Sequence, residues 1–430
     1  MRSDFPAPKL RIALWFYSFL WWIMTPVIKQ YLLRRGLKAH VYAHHITERF
    51  GRYKATLYRP VWVHAVSLGE MRSATPLIRA LLADGEAVLS THFTPAGRRE
   101  AEREFATEIA EGRFATVWVP FEYGFAYRRF LNHFTPQYGL VMEIEIWPRM
   151  ITACRKHGTD LFMCNAQYPK KSYEKDKAGL GLRAALIPGF AGGFVKSNGQ
   201  RKRFAETGLQ NIHVTGELRF DQPIPSAHIA AANKHASALT RGRPTYTLTS
   251  VVEGEDAVYM RMIKACPEAF FVYVPRAPER FDEVADMLKS AGINFARRSV
   301  ILDDALEPTG DFPACDVLLG DSMGEMYFYL GLCQRAIVGG GFVEKGAHNV
   351  IEPLALKKPV IVGPHIWTIE YPATEAIAAG VCTHLQSEDA LIAAVQTPPT
   401  VTDDQISAFY DAHAGAVTKT IDAIKAARKG

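Results

Sequence analysis

The chain has 430 residues, 48% of them hydrophobic, and a formal net charge of +6. That length predicts two or three domains with ordinary apolar cores. The modest charge points to anionic ligands only where basic residues cluster, and no recognition motif accompanies those clusters, which argues against nucleic-acid binding. Six scattered cysteines without a C-x-x-C pair favour reduced cytosolic thiols over a disulfide framework or a zinc site. His40 and His44, four apart, lack an H-E-x-x-H context and read as a structural pair.

In chain order, the first element is apolar. Residues 12–28 carry no charge and include Trp15, Phe16, Phe19, Trp21 and Trp22. Basic residues flank them on both sides (Lys9 and Arg11 before, Lys29, Arg34, Arg35 and Lys38 after), and no small-residue cleavage site follows. Residues 1–38 are therefore expected to form a membrane anchor, either a short span or a helix lying in the interface, rather than a removed signal peptide. A buried helix of a soluble domain is the competing reading. With the anchor, the chain is expected to be a membrane-associated enzyme whose body stays in the cytoplasm.

Beyond it, short apolar runs alternate with helical patterns. Strands are predicted at 61–66, 87–91, 116–119, 139–142, 161–165 and 213–215. A second series follows at 245–248, 270–274, 317–319, 336–338 and 359–362, with amphipathic helices such as 73–83 and 281–291 between strands. Such alternation predicts α/β halves built on parallel sheets. The proline-containing stretch 223–243 separates a half at 39–222 from one at 244–430. A final helix over 404–428 is expected to pack back on the first half.

Four groups of residues invite chemistry. Ser67-Leu68-Gly69-Glu70 and Ser322-Met323-Gly324-Glu325 each leave a strand and open a helix. Both are also literal capping boxes, but the shared internal glycine suits close approach of a ligand. Glu143 and Glu145 end a strand, where residues two apart face one side, so they are expected to form one acidic patch, or else a solvated strand end. Arg276 and Arg280 follow a strand and could hold phosphate. Basic runs at Lys170, Lys171, Lys175 and Lys177 and at Arg201–Arg203 suit an acidic lipid surface. Last, Gly339-Gly340-Gly341 lies between a strand and a segment with Asn349 and Glu352. Glycine turns present backbone N–H groups to anions, and a carboxylate one turn on could hold a ribose; Asn349-x-x-Glu352 also has the form of a capping box.

These motifs resemble the 3-deoxy-D-manno-octulosonic acid (Kdo) transferases of Gram-negative lipopolysaccharide synthesis. The matching residues run in order: the segment His64 to Glu70, Thr94-Pro95-Ala96-Gly97, Met142 to Pro148, Val214-Thr215-Gly216, Pro275-Arg276 with Pro278-Glu279-Arg280, Asp321 to Glu325, and Gly340 to Val343 with His348-Asn349 and Glu352-Pro353. The resemblance implies the GT-B architecture, two Rossmann-like domains facing a cleft, and inverting transfer of Kdo from CMP-Kdo to a lipid A precursor without a metal. It implies Glu70 as general base, assisted by Glu143 and Glu145. Ser67, Gly69, Arg276, Arg280, Ser322, Met323, Gly324, Glu325, Gly340, Gly341, Asn349 and Glu352 would hold the CMP-sugar. The chain departs from the family's pattern near residues 165–172, at Lys196–Gln200, Glu217, Thr249–Val252 and Ala277. A transferase or epimerase using another nucleotide sugar, and a non-catalytic lipid-binding paralogue, are the alternatives carried forward.

Overall fold

A computed structural model describes residues 5–38 and 45–429, so His40 and His44 lie outside the described residues. It divides into two compact units, residues 1–222 with 415–430, and residues 223–414. Each is built on a seven-stranded parallel sheet.

The first sheet contains β1 (Val61–His64), β2 (Val88–His92), β3 (Phe114–Trp118), β4 (Tyr138–Met142), β5 (Leu161–Ala166), β6 (Gly192–Val195) and β7 (Ile212–Val214), in the order β3-β2-β1-β4-β5-β6-β7. Its central strands are buried on both faces, with Trp62, Leu89 and Val141 in one core layer and Val61, Val63 and Leu140 in the other. Two-sided burial is why these strands read as continuous apolar runs rather than alternating ones. The chain order reverses between β1 and β4. In open parallel sheets such a reversal leaves a crevice at the carboxyl ends of the two strands.

The second sheet contains β8 (Thr245–Val251), β9 (Phe270–Pro275), β10 (Phe295–Arg297), β11 (Val317–Leu319), β12 (Arg335–Val338), β13 (Val360–Val362) and β14 (Cys382–His384), in the order β10-β11-β9-β8-β12-β13-β14. Its reversal falls between β8 and β12. The strands β6, β10 and β14 carry no strong apolar signal: β6 opens on Gly192-Gly193, and β10 and β14 span only three residues each.

The C-terminal segment predicted as one helix is two, Asp403–His413 and Ala416–Lys429. They part at Gly415, whose φ of 79° ends a helix at little cost. Asp221 accepts hydrogen bonds from the backbone N–H groups of Gly415 (2.7 Å) and Val417 (2.6 Å), anchoring the second helix to the first unit. Residues 223–243, read as a proline-containing connection, carry the helix Ser226–Thr240 of the second unit.

The first helix, Pro8–Lys38, includes a stretch, Pro8–Ile28, long and apolar enough to cross a membrane. One of its faces is docked. Leu10 and Leu14 are buried, Tyr17 donates to Glu122 (3.3 Å), Arg149 donates to the Leu14 carbonyl (2.8 Å), and Trp21 packs on Phe121 and Tyr123. Ile12, Trp15, Phe16, Phe19, Leu20, Trp22 and Ile23 remain exposed.

Candidate active site

The turn after β1 lies at the reversal of the first sheet. Ser67 caps the helix Leu68–Ala83, its hydroxyl accepting from the Glu70 N–H (3.3 Å), while the Glu70 carboxylate accepts from the Val66 N–H (2.6 Å). The S-x-x-E motif therefore does cap its helix. Gly97 lets the helix Pro95–Glu104 press on this turn, since a Cβ there would sit 3.0 Å from the Ser67 carbonyl carbon. Thr94 adds a hydrogen bond to the Val66 carbonyl (3.0 Å). A Cβ on Gly69, by contrast, would meet open space.

Among the described residues Glu70 has no cationic partner. Burial, and then the charges of Glu145 and Glu143, push its pKa up to about 8, against the lowering effect of the Val66 N–H and the Ser67 hydroxyl. A solvated carboxylate at a helix N-terminus would be ionised at pH 7 and weakened as a base. Here desolvation wins, giving a more basic carboxylate that is largely protonated at neutral pH.

Glu143 and Glu145 do not continue β4. Glu143 takes the left-handed conformation (φ 57°), which costs a residue with a Cβ about 1–2 kcal/mol. The strand-face expectation fails because the chain turns at this residue. Glu143 accepts from Lys196 (2.8 Å) and Asn165 (2.9 Å), whereas Glu145 accepts from the indole N–H of Trp147 (2.6 Å). The two carboxylates still converge electrostatically, because both raise Glu70.

The corresponding position in the second sheet, after β8 and β12, is built differently. Glu255, fully buried, accepts from the backbone N–H groups of Gly340 (2.7 Å), Phe342 (3.1 Å) and Val252 (3.2 Å). Two N–H groups of the glycine turn thus point at an internal carboxylate. The turn also needs its glycines for packing: Gly340 has φ 87°, and a Cβ on Gly341 would lie 2.8 Å from the Gly363 nitrogen. The sequence signal for Glu255 was slight, one acidic residue after Gly254.

Around this turn Arg276, exposed, donates to the His348 Nδ1 (2.7 Å). Burial and then Arg276 lower the His348 pKa to about 4, so the ring is neutral, with its proton on the buried Nε2. Arg280 is buried and bonded to Asp256 (2.8 Å), which also accepts from Tyr273 (2.7 Å). Asn349 accepts from the Ile351 N–H (2.9 Å) in a local turn, and Glu352 opens the short helix Ile351–Ala355. Asn349 and Glu352 are half-buried.

The second Ser-x-Gly-Glu motif does not cap a helix with its serine. Ser322 donates to Glu325 and meets the Tyr329 hydroxyl (2.6 Å), and Glu325 is ion-paired with Arg298. Gly324 has φ 88° and lies exposed beside Met323. The structure therefore brings Ser67, Gly69, Glu70, Glu143 and Glu145 together in the first unit. In the second it groups Gly340, Gly341 and Arg276 around Glu255 and His348, with Arg280 and the Ser322–Glu325 turn in separate networks.

Comparison with known proteins accords with these motifs. Residues 44–222 match the family model described as 3-deoxy-D-manno-octulosonic-acid transferase (kdotransferase). The chain is 38% identical over 426 residues to a 3-deoxy-D-manno-octulosonic acid transferase of Bordetella pertussis, spanning 94% of this chain and 96% of that one. It is 31% identical over 373 residues to the protein of the same name in Haemophilus influenzae, spanning 83% of each. In fold alone it is similar to a UDP-GlcNAc 2-epimerase from Neisseria meningitidis, with a TM-score of 0.51, 12% identity and coverage of 85% of this chain and 99% of that one. The motifs at the sheet reversals and the 38% identity over nearly the whole chain lead to one conclusion: the chain belongs to the 3-deoxy-D-manno-octulosonic acid transferase family, glycosyltransferases of lipopolysaccharide biosynthesis.

Proposed function

We propose that this chain transfers Kdo from CMP-Kdo to a lipid A precursor, with inversion and with Glu70 as general base. The observation that carries the reading is Glu70 itself, a carboxylate of raised proton affinity at the reversal of the first sheet in a member of a Kdo transferase family. Ionised Glu70 takes the proton of the acceptor hydroxyl as its oxygen attacks the anomeric carbon. The bond from that carbon to the CMP phosphate oxygen breaks, and CMP leaves with the electron pair. Arg276, the glycine turn, Asn349 and Glu352 are assigned to the donor, and Glu143 and Glu145 to orienting the acceptor or the base. The absence of any D-x-D in the sequence supports a reaction without metal, tested by an unchanged rate in EDTA.

The first helix serves the lipid acceptor. Docked on one side and bare on the other, it is assigned to the interface of the inner membrane at its cytoplasmic face, its exposed rings at the boundary of headgroups and acyl chains. The exposed apolar face is what favours a membrane-borne acceptor over an epimerase's soluble sugar nucleotide.

The purified chain is incubated with CMP-Kdo and a tetraacylated lipid A precursor, with and without Glu70→Ala, and product is followed by mass spectrometry. Kdo addition that disappears in the variant is the expected outcome. No addition by folded wild-type protein overturns the reading.

A further inference from the structure

Behind the Glu70 cluster lies a charged group that the mechanism above leaves unused. Lys196, at the end of β6 and 4% exposed, bonds both Glu143 (2.8 Å) and Glu217 (2.6 Å). Asn165, at 1% exposure, donates through its amide to the same two carboxylates (2.9 and 2.8 Å) and accepts from the Leu218 N–H (3.0 Å). Next in the chain, Arg219 reaches back to Ser73 (2.7 Å) on the helix that carries Glu70. The ends of β4, β5, β6 and β7 are thus tied to the helix of the candidate base.

Glu217 is 2% exposed, while the Glu143 carboxylate keeps a solvent-facing side. Glu217 is the buried anchor and Glu143 the group presented outward. Desolvating an ammonium and a carboxylate is expensive, and a well-packed apolar pair often stabilises a fold as well or better. Stability alone does not call for this arrangement.

We propose that the Lys196–Glu217 pair is a positioning device for the acceptor half of the site, clamping Glu143 in its left-handed turn while adding no net charge beside Glu70. The proposal rests on the reading of Glu70 as base. The charges facing Glu70 are Glu145 and Glu143, and those facing the pair are Glu143 and Arg219. Burial opposes ionisation of Glu217, but Lys196 and Arg219 hold its pKa below the ordinary range, and Glu143 and Glu217 likewise outweigh burial and raise Lys196. Both members stay charged across the working pH, so their sum is zero.

The test compares the full chain with Lys196→Met, Glu217→Gln and the double variant, reading acceptor and donor KM, the pH–rate limb and thermal unfolding. Lys196→Met leaves two uncompensated carboxylates. The acceptor KM is expected to rise about tenfold with the donor KM within about twofold, and the limb to move up by about half a pH unit. Glu217→Gln removes one of the two carboxylates on Lys196 and leaves it paired with Glu143 alone, so the local charge becomes less negative and the limb moves down. The double variant restores zero charge and returns the limb toward its wild-type position. Opposite shifts that cancel are not produced by a merely structural loss.

An unmoved limb in all three folded variants, with acceptor KM unchanged, overturns the proposal. If Lys196→Met does not fold, Glu217→Gln and Lys196→Arg carry the test: a downward limb in the first and none in the second supports the device, and any other pattern overturns it. Transfer that persists in Glu70→Gln would instead refute the base, and acceptor KM alone would then judge the clamp.

Discussion

The two units place a Ser-x-Gly-Glu turn beyond the carboxyl end of a strand, and the two turns do different work. Ser67 and Glu70 cap a helix, yet Glu70 faces two other carboxylates without a cationic partner among the described residues, and its pKa rises to about 8. In the other unit Glu325 is bound by Arg298 and Ser322, and a second carboxylate, Glu255 in a separate network, is consumed by three backbone N–H groups. The internal glycines differ too: both face open space, but Gly324 has a positive φ, whereas Gly69 lies in the first turn of a helix. The same four-residue motif holds a carboxylate of raised proton affinity in one setting and an ion-paired one in the other. The deciding variable is whether a cation or a donor answers the buried charge.

The largest effect expected is on Glu70. Glu70→Gln should lower kcat about 10²–10⁴-fold, the range for losing a general base, while thermal unfolding scarcely moves. Glu325→Gln should do the reverse. Leaving Arg298 buried without its carboxylate should cost about 3 kcal/mol in urea unfolding, with a much smaller loss of kcat. A stable Glu325→Gln protein that is as inactive as Glu70→Gln would break the contrast.

Glu255→Ala strands N–H donors of the glycine turn, so the CMP-Kdo KM should rise about tenfold with the acceptor KM little changed. Gly324→Ala forces a Cβ into the left-handed region and should cost about 1 kcal/mol of stability. Gly69→Ala should cost nothing in stability, since alanine is the better helix former, and a raised donor KM there would show ligand approaching the turn. The smallest effect concerns Glu145→Gln. It removes a charge that raises Glu70, so the rate limb should shift down by less than about one pH unit.

Much of this was legible in the chain. Central strands such as β1, β4 and β9 announce themselves because burial on both faces demands unbroken apolar runs. By contrast β6, opening on two glycines, and the three-residue β10 and β14 do not. Glu70 could be located from its motif, but the direction of its pKa shift could not, because Glu145 and Glu143 lie more than seventy residues away. Glu143 and Glu145 were legible as a pair, though not as a turn, since nothing local to Met142 signals a left-handed residue. Asn165, Lys196 and Glu217 lie in three separate segments, and only folding shows them in one network. Glu255 stayed hidden for the same reason: two of its three backbone N–H donors, Gly340 and Phe342, are supplied eighty-odd residues later.

The most direct test of the account is the pH dependence of Kdo transfer to the lipid A precursor by the full chain. With Glu70 as a base of pKa about 8, kcat/KM should climb about tenfold per unit below pH 8 and level off above it, and in Glu70→Gln it should fall about 10²–10⁴-fold and lose this limb. A rate independent of pH between about 6 and 9, or a limb that survives Glu70→Gln, would contradict it.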